Sequence, residues 1–252
     1  MSRTILITGG SGKFGRTLVD HFLARGDRVV FTTRSESSLK VVRAAGAGAG
    51  GRLIGLTADF TTDGEPAGLA ERMRKLGIAV DGLVNNARNL DFLKIGEDGT
   101  VERSDFLGEF LVDVVVPYEL TMALALVPGS QLRHVVNIGS QYGLVAANPA
   151  LYEDYPRQSP LHYGVAKAAL AHLTRELAVR LADREIQVNC VAFGGVEGRV
   201  DDAFKRRYAA LTPLRRMLRD DEVVGPVDYL LSDGCSGMTG QVIQVDGGWT
   251  LW

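Results

Sequence analysis

Short apolar runs alternate with longer amphipathic segments along the whole chain, and this alternation constrains the fold more than any other feature. Each run predicts a buried strand, and the runs span 4–8, 28–33, 53–56, 82–85, 134–138, 187–192 and 242–245. Helical periodicity covers 14–25, 36–45, 66–76, 104–126, 161–183 and 220–231. Strands that alternate with helices are typical of βαβ units around a parallel sheet. We therefore expect an α/β, doubly wound Rossmann-type fold with a seven-stranded parallel sheet and helices on both faces.

The charge balance limits the kinds of partner. The 252 residues contain no Pro/Ser-rich or charge-rich linker, so we expect one domain over 1–252. With 28 basic and 30 acidic residues, the formal charge of -2 provides no basic field for a nucleic-acid backbone or an anionic membrane. The expected partner is a small-molecule substrate.

Metal, disulfide and membrane signals are not found in the sequence. Cys190 and Cys235 form no C-x-x-C pair, and the four histidines have no metal-ligand spacing. The chain enters its first predicted strand without a charged leader, and no apolar run is long enough to span a membrane. We expect a cytoplasmic protein without a metal site.

A glycine-rich loop joins the first predicted strand to the first predicted helix. It consists of Thr8, Gly9, Gly10, Ser11, Gly12, Lys13, Phe14 and Gly15. Glycines in such a loop allow a tight turn and let backbone N–H groups approach a pyrophosphate, and the helix N-terminus adds partial positive charge. The alternative is a strand-to-helix turn that holds no ligand. Its place on the first strand and helix of a βαβ series favours a dinucleotide site.

The end of the second predicted strand indicates which dinucleotide is bound. Proteins that bind the unphosphorylated cofactor usually place an acidic residue there, whereas this strand is followed by Arg34. A guanidinium can hold a 2'-phosphate with two hydrogen bonds, and Lys13 could add a second positive charge. The alternative is that both are solvated surface cations. We expect NADP(H) in preference to NAD(H).

Three side chains suggest the chemistry. Tyr163 and Lys167 are four residues apart at the start of a predicted helix, so they share one face. A nearby cation favours the phenolate, which draws a Tyr toward the working range of a general acid/base. Ser140 lies just past the end of the fifth predicted strand, where its hydroxyl could bond a substrate oxygen.

These residues and several ordered motifs give the chain a resemblance to the short-chain dehydrogenase/reductase family over nearly its full length. The further motifs are Asp59 after the third strand, Asn85-Asn86-Ala87 after the fourth, Val188-Asn189 before Phe193-Gly194-Gly195, and the segment from Gly240 to Gly248. The resemblance implies that Tyr163 is the acid/base, that Ser140 orients the reacting carbonyl or alcohol, and that Lys167 lowers the Tyr pKa and holds the nicotinamide ribose.

The resemblance also implies the cofactor contacts and the assembly. Asp59 with Phe60 would lie at the adenine, and Asn86 with Ala87 would pass beside the cofactor ribose. Gly194 and Val196 would complete the cofactor site. The family pattern further implies a homo-oligomer, either a tetramer or a dimer.

The sequence departs from the family pattern at four places. Lys13 stands where the loop commonly has Gly, and Arg88 follows Asn-Asn-Ala where Gly is common. Asp113 falls on the place of a helix Asn that helps a water relay protons, and Asp accepts hydrogen bonds only when ionised. Ser140 and Tyr163 are 23 positions apart because of an insertion over 146–160. The insertion resembles that of oxidoreductases of nonulosonic-acid and flagellin-glycan pathways, and the alternative is a surface loop without a substrate role.

Cations between 205 and 219 have two interpretations. They either attract a phosphorylated or carboxylated substrate or form a solvated helix face.

We expect an NADP(H)-dependent oxidoreductase that interconverts a carbonyl and a secondary alcohol on a small polar molecule, a class that includes sugar derivatives. The alternatives are a reductase of 3-oxoacyl thioesters and a cofactor-binding sensor or scaffold whose catalysis is weakened at Asp113 and Arg88.

Overall fold

A seven-stranded parallel sheet forms the centre of the computed structural model, which describes residues 2–198 and 200–252. The strands are β1 (Thr4–Ile7), β2 (Arg28–Thr33), β3 (Leu53–Thr57), β4 (Gly82–Asn85), β5 (His134–Ser140), β6 (Gln187–Phe193) and β7 (Val242–Val245). Their order is β3-β2-β1-β4-β5-β6-β7, and every pairing is parallel. The predicted Rossmann-type fold is confirmed. Met1 and Arg199, which belong to the predicted domain and to the connection after β6, lie outside the described residues.

The helices connect successive strands. They are α1 (Lys13–Ala24), α2 (Glu36–Ala45), α3 (Glu65–Lys75), α4 (Arg103–Phe110), α5 (Val116–Leu126), α6 (Tyr155–Gln158), α7 (Leu161–Arg180), α8 (Asp202–Ala210) and α9 (Val224–Leu230). α6 and α8 lie in segments that the sequence pattern left as connections.

One predicted helix is interrupted. The segment 104–126 forms α4 and α5 with a π-helical turn, Leu111–Val115, between them. Pro117 has no N–H, and its ring would clash with the carbonyl of Asp113 in a regular α-helix. The wider π-helical turn lets the chain continue past this proline, and it places Asp113 on the bulge.

The apolar alternation along each strand divides the core between the two faces of the sheet. On one face, Leu6, Leu83 and Val135 pack with Leu120 of α5 and Leu177 of α7. On the other face, Ile5, Ile7, Val84 and Val136 pack with Phe22 of α1 and Val227 of α9. Helices therefore cover both faces.

The direction in which strands are added reverses between β1 and β4. The chain builds β1, β2 and β3 toward one edge and then crosses back to add β4 beside β1. Open α/β sheets bind ligands at the carboxyl ends of the strands beside such a reversal. The glycine-rich loop after β1 and the Asn-Asn-Ala segment after β4 meet at this position.

The insertion is packed into the protein. Leu151 is fully buried in a small cluster with Tyr208 of α8, Met217 and Trp249. Arg207 of α8 donates a hydrogen bond from Nε to the carbonyl of Leu151 at 2.7 Å. The insertion and α8 therefore form one packed layer over the carboxyl ends of β5 and β6.

No helix within the described residues is both long enough and apolar enough to cross a membrane.

Candidate active site

The glycine-rich loop folds tightly because Gly9 and Gly15 leave no room for a side chain. A Cβ on Gly15 would lie 2.2 Å from the carbonyl oxygen of Gly9, and one on Gly9 would lie 2.9 Å from Cα of Ala87. Gly9 also has a φ of +66°, which favours glycine. Gly12 caps α1 without a side chain, so the first backbone N–H groups of the helix stay available to a ligand. This cradle fits the pyrophosphate of a dinucleotide.

The end of β4 is bonded to this loop. The side-chain amide of Asn86 donates to the carbonyl of Thr8 at 2.8 Å. The backbone N–H groups of Asn86 and Ala87 each donate to Oγ1 of Thr8 at 2.9 Å. The structure thus brings Asn86 and Ala87 to the glycine-rich loop. The sequence analysis assigns no role to Thr8. Its hydroxyl, at the first position of the loop, was the available signal for these hydrogen bonds.

Arg34 lies after β2 with its side chain half exposed. Its Nη1 is 3.6 Å from a carboxylate oxygen of Asp91. Ser11 of the loop and Thr33 are joined through their hydroxyls at 2.9 Å. Ser35 caps α2 by accepting a hydrogen bond from the N–H of Ser38. Arg34 thus lies beside the N-terminus of α2.

Asp59 lies near this end of the site, and the neighbouring Phe60 is buried. The hydroxyl and N–H of Thr61 hydrogen-bond to Asp59 and hold the pKa of its carboxyl below the usual range. Arg34 lowers this pKa further through its charge.

Lys13 makes a different contact from the one expected. Its Nζ lies 2.8 Å from a carboxylate oxygen of Asp220, on the segment before α9. Arg34 and Lys13 therefore pair with carboxylates on different segments, and the structure does not bring them to one phosphate group.

Gly194 and Val196 follow β6. A Cβ on Gly194 would lie 2.7 Å from Cα of Asp246, so the two backbones are too close for a side chain at position 194. Val196 pairs with Leu218 in an isolated parallel bridge. The segment after β6 is thereby held next to the end of β7.

Ser140 lies at the end of β5, and Tyr163 and Lys167 lie at the start of α7. Ser140 is the last residue of β5 and not a residue past its end, because the strand continues two residues beyond the predicted end at 138. Its hydroxyl accepts a hydrogen bond from the N–H of Tyr142 at 3.2 Å. Tyr163 lies in the first turn of α7, and Lys167 follows one turn later. Nζ of Lys167 is 5.7 Å from the centre of the Tyr163 ring.

Lys167 is buried and bound on two sides. Its Nζ donates to the carbonyl of Ile138 at 2.9 Å and lies 3.1 Å from a carboxylate oxygen of Asp113. Burial is the largest influence and opposes the charge on Lys167, but Asp113 and Tyr163 together outweigh it, so the pKa of the lysine is raised. The ammonium group therefore stays charged. The π-helical turn brings Asp113 into this contact.

Two further charged groups surround Tyr163. Cζ of Arg88 lies 4.2 Å from the centre of the Tyr163 ring, a cation–π contact. Glu109 of α4 is buried, and its Oε1 lies 3.9 Å from Nε of Arg88. Burial, and then the charge of Asp113, raise the pKa of Glu109 to about 7. Glu109 was missed from the sequence, where its position four residues before Asp113 was the available signal.

The layer formed by the insertion and α8 carries a hydrogen-bonded set of tyrosines. The hydroxyl of Tyr208 donates to Oε1 of Gln141 at 3.0 Å and accepts from the N–H of Gly195 at 2.7 Å. The hydroxyls of Tyr142 and Tyr152 are 3.0 Å apart. A cavity of about 380 Å³ lies between the insertion and the start of α7. The insertion thus supplies part of the wall of this cavity, and α7 supplies Leu161, Gly164, Val165 and Ala168.

Most of the cations predicted to face this region are paired. Arg207 binds Glu153, Arg216 binds Glu222, and Lys205 binds Asp202. These pairs favour the interpretation of a solvated helix face over an anion-binding surface. In the part of the chain that the structure describes, no group of three His, Cys, Asp or Glu side chains could hold a metal ion.

A protein-family model described as enoyl-(acyl carrier protein) reductase matches residues 12–250 of the chain. An uncharacterized short-chain type dehydrogenase/reductase of Sinorhizobium fredii is 32% identical over 260 residues, which cover 98% of this chain and 43% of that protein. The post-translational flagellin modification protein A of Campylobacter coli is 35% identical over 118 residues, covering 47% of this chain and 46% of that protein. The chain thus matches less than half the length of each of these two relatives.

Solved structures of the same fold carry nicotinamide cofactors. A short-chain dehydrogenase of Leptospira borgpetersenii with bound NAD+ aligns with a TM-score of 0.86 at 28% identity, covering 99% of this chain and 93% of that one. A blue fluorescent protein from a metagenomic library, in complex with NADPH, aligns with a TM-score of 0.83 at 25% identity, covering 98% of each chain.

The family match covers nearly the whole chain, and the two solved structures share its fold over their full length. The chain belongs to the short-chain dehydrogenase/reductase family of NAD(P)-dependent oxidoreductases.

Proposed function

We propose that the protein is an NADP(H)-dependent oxidoreductase that interconverts a carbonyl and a secondary alcohol on a small polar molecule, which includes sugar derivatives. The observation that carries this proposal is the hydrogen bond from Lys167 of α7, one turn after Tyr163, to the carbonyl of Ile138, two residues before Ser140 at the end of β5. These groups lie at the carboxyl ends of the parallel strands, as the glycine-rich loop does.

The cofactor supplies or accepts a hydride when it is bound. The cradle of Gly9, Gly12 and Gly15 would hold its pyrophosphate, because the loop leaves free N–H groups and no side chain blocks them. Asn86 and Ala87 would lie beside the ribose of the cofactor.

The proton is handled by the side chains of this chain. In the reducing direction, the phenol of Tyr163 gives its proton to the substrate oxygen as that oxygen gains charge. The hydroxyl of Ser140 orients the same oxygen by a hydrogen bond. Lys167 stabilises the resulting phenolate by its charge and would hold the nicotinamide ribose. Asp113 fixes Lys167 at 3.1 Å and keeps it protonated.

The preference for NADP(H) is supported by the end of β2. Arg34 follows the strand where an acidic residue would repel a 2'-phosphate, and the N-terminus of α2 begins directly after it. Because known structures of this fold hold either NAD+ or NADPH, the nucleotide must be tested directly.

A second substrate class is 3-oxoacyl thioesters. The matching family model is described as enoyl-(acyl carrier protein) reductase, which supports an acyl thioester as the type of substrate but names a carbon–carbon double bond, and not a 3-oxo group, as the bond reduced. Reduction of a 3-oxoacyl thioester but not of polar ketones would support this alternative.

We also propose that the protein is a homo-oligomer, either a dimer or a tetramer. Large apolar side chains are exposed on α4, α5 and α7, among them Leu107, Tyr118, Leu161 and Val165. Apolar surface of this kind is typical of a subunit contact. Sedimentation equilibrium of the purified protein at several concentrations tests the proposal, and a monomer throughout would contradict it.

The test of the enzymatic activity is the oxidation of NADPH with a panel of polar ketones, aldehydes and one 3-oxoacyl thioester. We expect turnover by the wild-type protein and a loss of at least about 100-fold in Tyr163→Phe, as for removal of a general acid. NADPH binding should be similar in both proteins. Equal rates in the two proteins would show that Tyr163 is not the acid.

A further inference from the structure

Arg88 has a position and surroundings that a merely structural cation would not need. It directly follows Asn85-Asn86-Ala87, at the sheet edge where the cofactor loop and Tyr163 meet. Its guanidinium lies on the face of the Tyr163 ring with Cζ 4.2 Å from the ring centre. The side chain remains one-third exposed, at 34%. A ligand in the cleft could therefore reach it.

The hydrogen-bonding capacity of this guanidinium is unused. Arginine carries five N–H donors in a planar fork, and it stays charged at every pH that a protein tolerates. None of these donors makes a hydrogen bond with a residue of 2–198 or 200–252. The ring face of Tyr163 attracts the cation but accepts no ordinary hydrogen bond. The fork is thus free to bind an oxoanion.

Glu109 supports Arg88 from the interior side. Only about 1% of its surface is exposed, and neither carboxylate oxygen has a hydrogen-bond partner among the described residues. Its Oε1 lies 3.9 Å from Nε of Arg88, close enough for attraction and too long for a hydrogen bond. Asp113, the next acidic group, is committed to Lys167 at 3.1 Å. An unsatisfied buried carboxylate is costly, so its presence calls for a role.

We propose that Arg88 binds a carboxylate of the substrate next to the carbonyl that reacts at Tyr163, and that Glu109, 3.9 Å from Arg88, makes this contact dependent on pH. The inference rests on the proposed function, since it assigns an oxo acid or hydroxy acid as the substrate class. Two parallel N–H groups of the fork match the two oxygens of a carboxylate. Lys167 and Arg88 face Asp113 and Glu109, so the cluster has no large positive excess that would favour a dianion.

Glu109 acts on the substrate only through Arg88, and its effect depends on pH. The charged groups that face it are Arg88 after β4, Asp113 in the π-helical turn and Lys167 of α7. Above a pH of about 7, Glu109 ionises and competes with the substrate carboxylate for Arg88. The KM for an acid should therefore rise as the pH increases through 7, and the KM for its neutral ester should not.

The experiment uses matched pairs of substrates with NADPH. The pairs are 2-oxo, 3-oxo and 4-oxo acids and their methyl esters, which differ in the carboxylate charge. The proteins are wild type, Arg88→Gln, Arg88→Lys and Glu109→Gln. Arg133→Gln is the matched control. Arg133 directly precedes β5, so it lies at the amino end of that strand, away from the site, and its side chain is exposed.

We expect kcat/KM of wild type to favour at least one acid over its ester by about 10- to 100-fold, the usual effect of a charge-assisted hydrogen-bond pair. Arg88→Gln should lower the acid-to-ester ratio of kcat/KM to about one, and this ratio cancels any change in rate that both substrates share through the loss of the cation beside Tyr163. Arg88→Lys should restore only part of the preference, because an ammonium lacks the planar fork. Glu109→Gln should keep the preference and lose the change of KM through pH 7. Arg133→Gln should behave as wild type.

The contrary outcomes separate this inference from the proposed function. If Arg88→Gln keeps the preference for an acid, or if wild type reduces neutral ketones but no acid, the inference is wrong and the proposed function stands. If Arg88→Gln weakens NADPH binding and leaves the acid-to-ester ratio unchanged, Arg88 serves the cofactor, and the inference is again wrong. If Tyr163→Phe reduces the panel as fast as wild type, the proposed function itself fails.

Discussion

The ammonium nitrogen of Lys167 lies 3.1 Å from a carboxylate oxygen of Asp113, and both side chains are buried. The family pattern has an uncharged Asn at the position of Asp113. A carboxylate here keeps Lys167 protonated, but it also cancels part of the attraction that the lysine exerts on the Tyr163 phenolate. Asp113 therefore stabilises the charged form of Lys167, but it weakens the effect of Lys167 on the pKa of Tyr163.

Asp113→Asn should lower the pH at which activity is lost on the alkaline side. The carboxylate raises the pKa of Lys167, so the lysine stays charged until the pH passes that raised value. Without the carboxylate, Tyr163 alone opposes the effect of burial, and the lysine loses its proton at lower pH. The profile of kcat/KM against pH shows this directly. An unchanged alkaline limb would mean that Lys167 does not govern it.

The same variant distinguishes an enzyme from a cofactor-binding sensor. If Asp113 weakens catalysis, Asp113→Asn should raise kcat near neutral pH by up to about tenfold, since one pKa unit corresponds to 1.36 kcal/mol. A sensor whose chemistry is lost would bind NADPH and show no turnover in either form.

Glu109→Gln should stabilise the protein above neutral pH relative to wild type. Burial raises the pKa of Glu109 to about 7, so the native state holds a proton that the unfolded chain releases near the ordinary pKa of 4.5. Wild type therefore loses stability as the pH rises from about 4.5 to about 7, by an amount on the order of 1–3 kcal/mol. Gln carries no charge and should show no such loss. Urea unfolding at pH 5 and pH 8 measures the free energy of unfolding of both proteins, and parallel changes would contradict the expectation.

Arg34→Ala should weaken NADPH binding by about 10- to 100-fold and leave NADH binding unchanged, since only NADPH carries the phosphate that the guanidinium would hold. Fluorescence titration of both nucleotides measures the two affinities. Lys13→Ala is the matched control, because Lys13 pairs with Asp220 on a different segment and should affect the two nucleotides alike. Equal affinity of wild type for both nucleotides would remove the basis for NADP(H).

Leu151→Ala should destabilise the protein by about 2–5 kcal/mol, the usual cost of a cavity at a fully buried leucine. Val41→Ala is the control, since Val41 is 65% exposed on α2 and should change the free energy of unfolding by less than about 0.5 kcal/mol. Urea unfolding tests both variants. No effect of Leu151→Ala would mean that the insertion is not held against α8 in solution.

The sheet could be predicted because its signal is local. Successive residues such as Leu6 and Ile7 face opposite sides of β1, and each side is buried, so the strand is a continuous apolar run. The positions of Ser140, Tyr163 and Lys167 followed from strand ends and helical spacing in the same way.

The parts that were missed depend on contacts between distant segments. The π-helical turn before Pro117 interrupts a segment whose apolar residues keep helical spacing throughout, so the sequence predicts one uninterrupted helix. The burial of Glu109 depends on Arg88, which lies on another segment and is not visible in the pattern of α4. Leu151 is buried only because α8 and Trp249 cover it. Local periodicity carries no information about such pairings.

The most direct test of the central claim is to follow a deuterium atom from NADPH labelled on the transferred position of the nicotinamide. We expect the alcohol formed from a polar ketone to contain one deuterium at the carbinol carbon with wild type, and negligible product with Tyr163→Phe that still binds NADPH. An alcohol without deuterium, or the same yield of labelled alcohol from Tyr163→Phe, would contradict hydride transfer with Tyr163 as the acid.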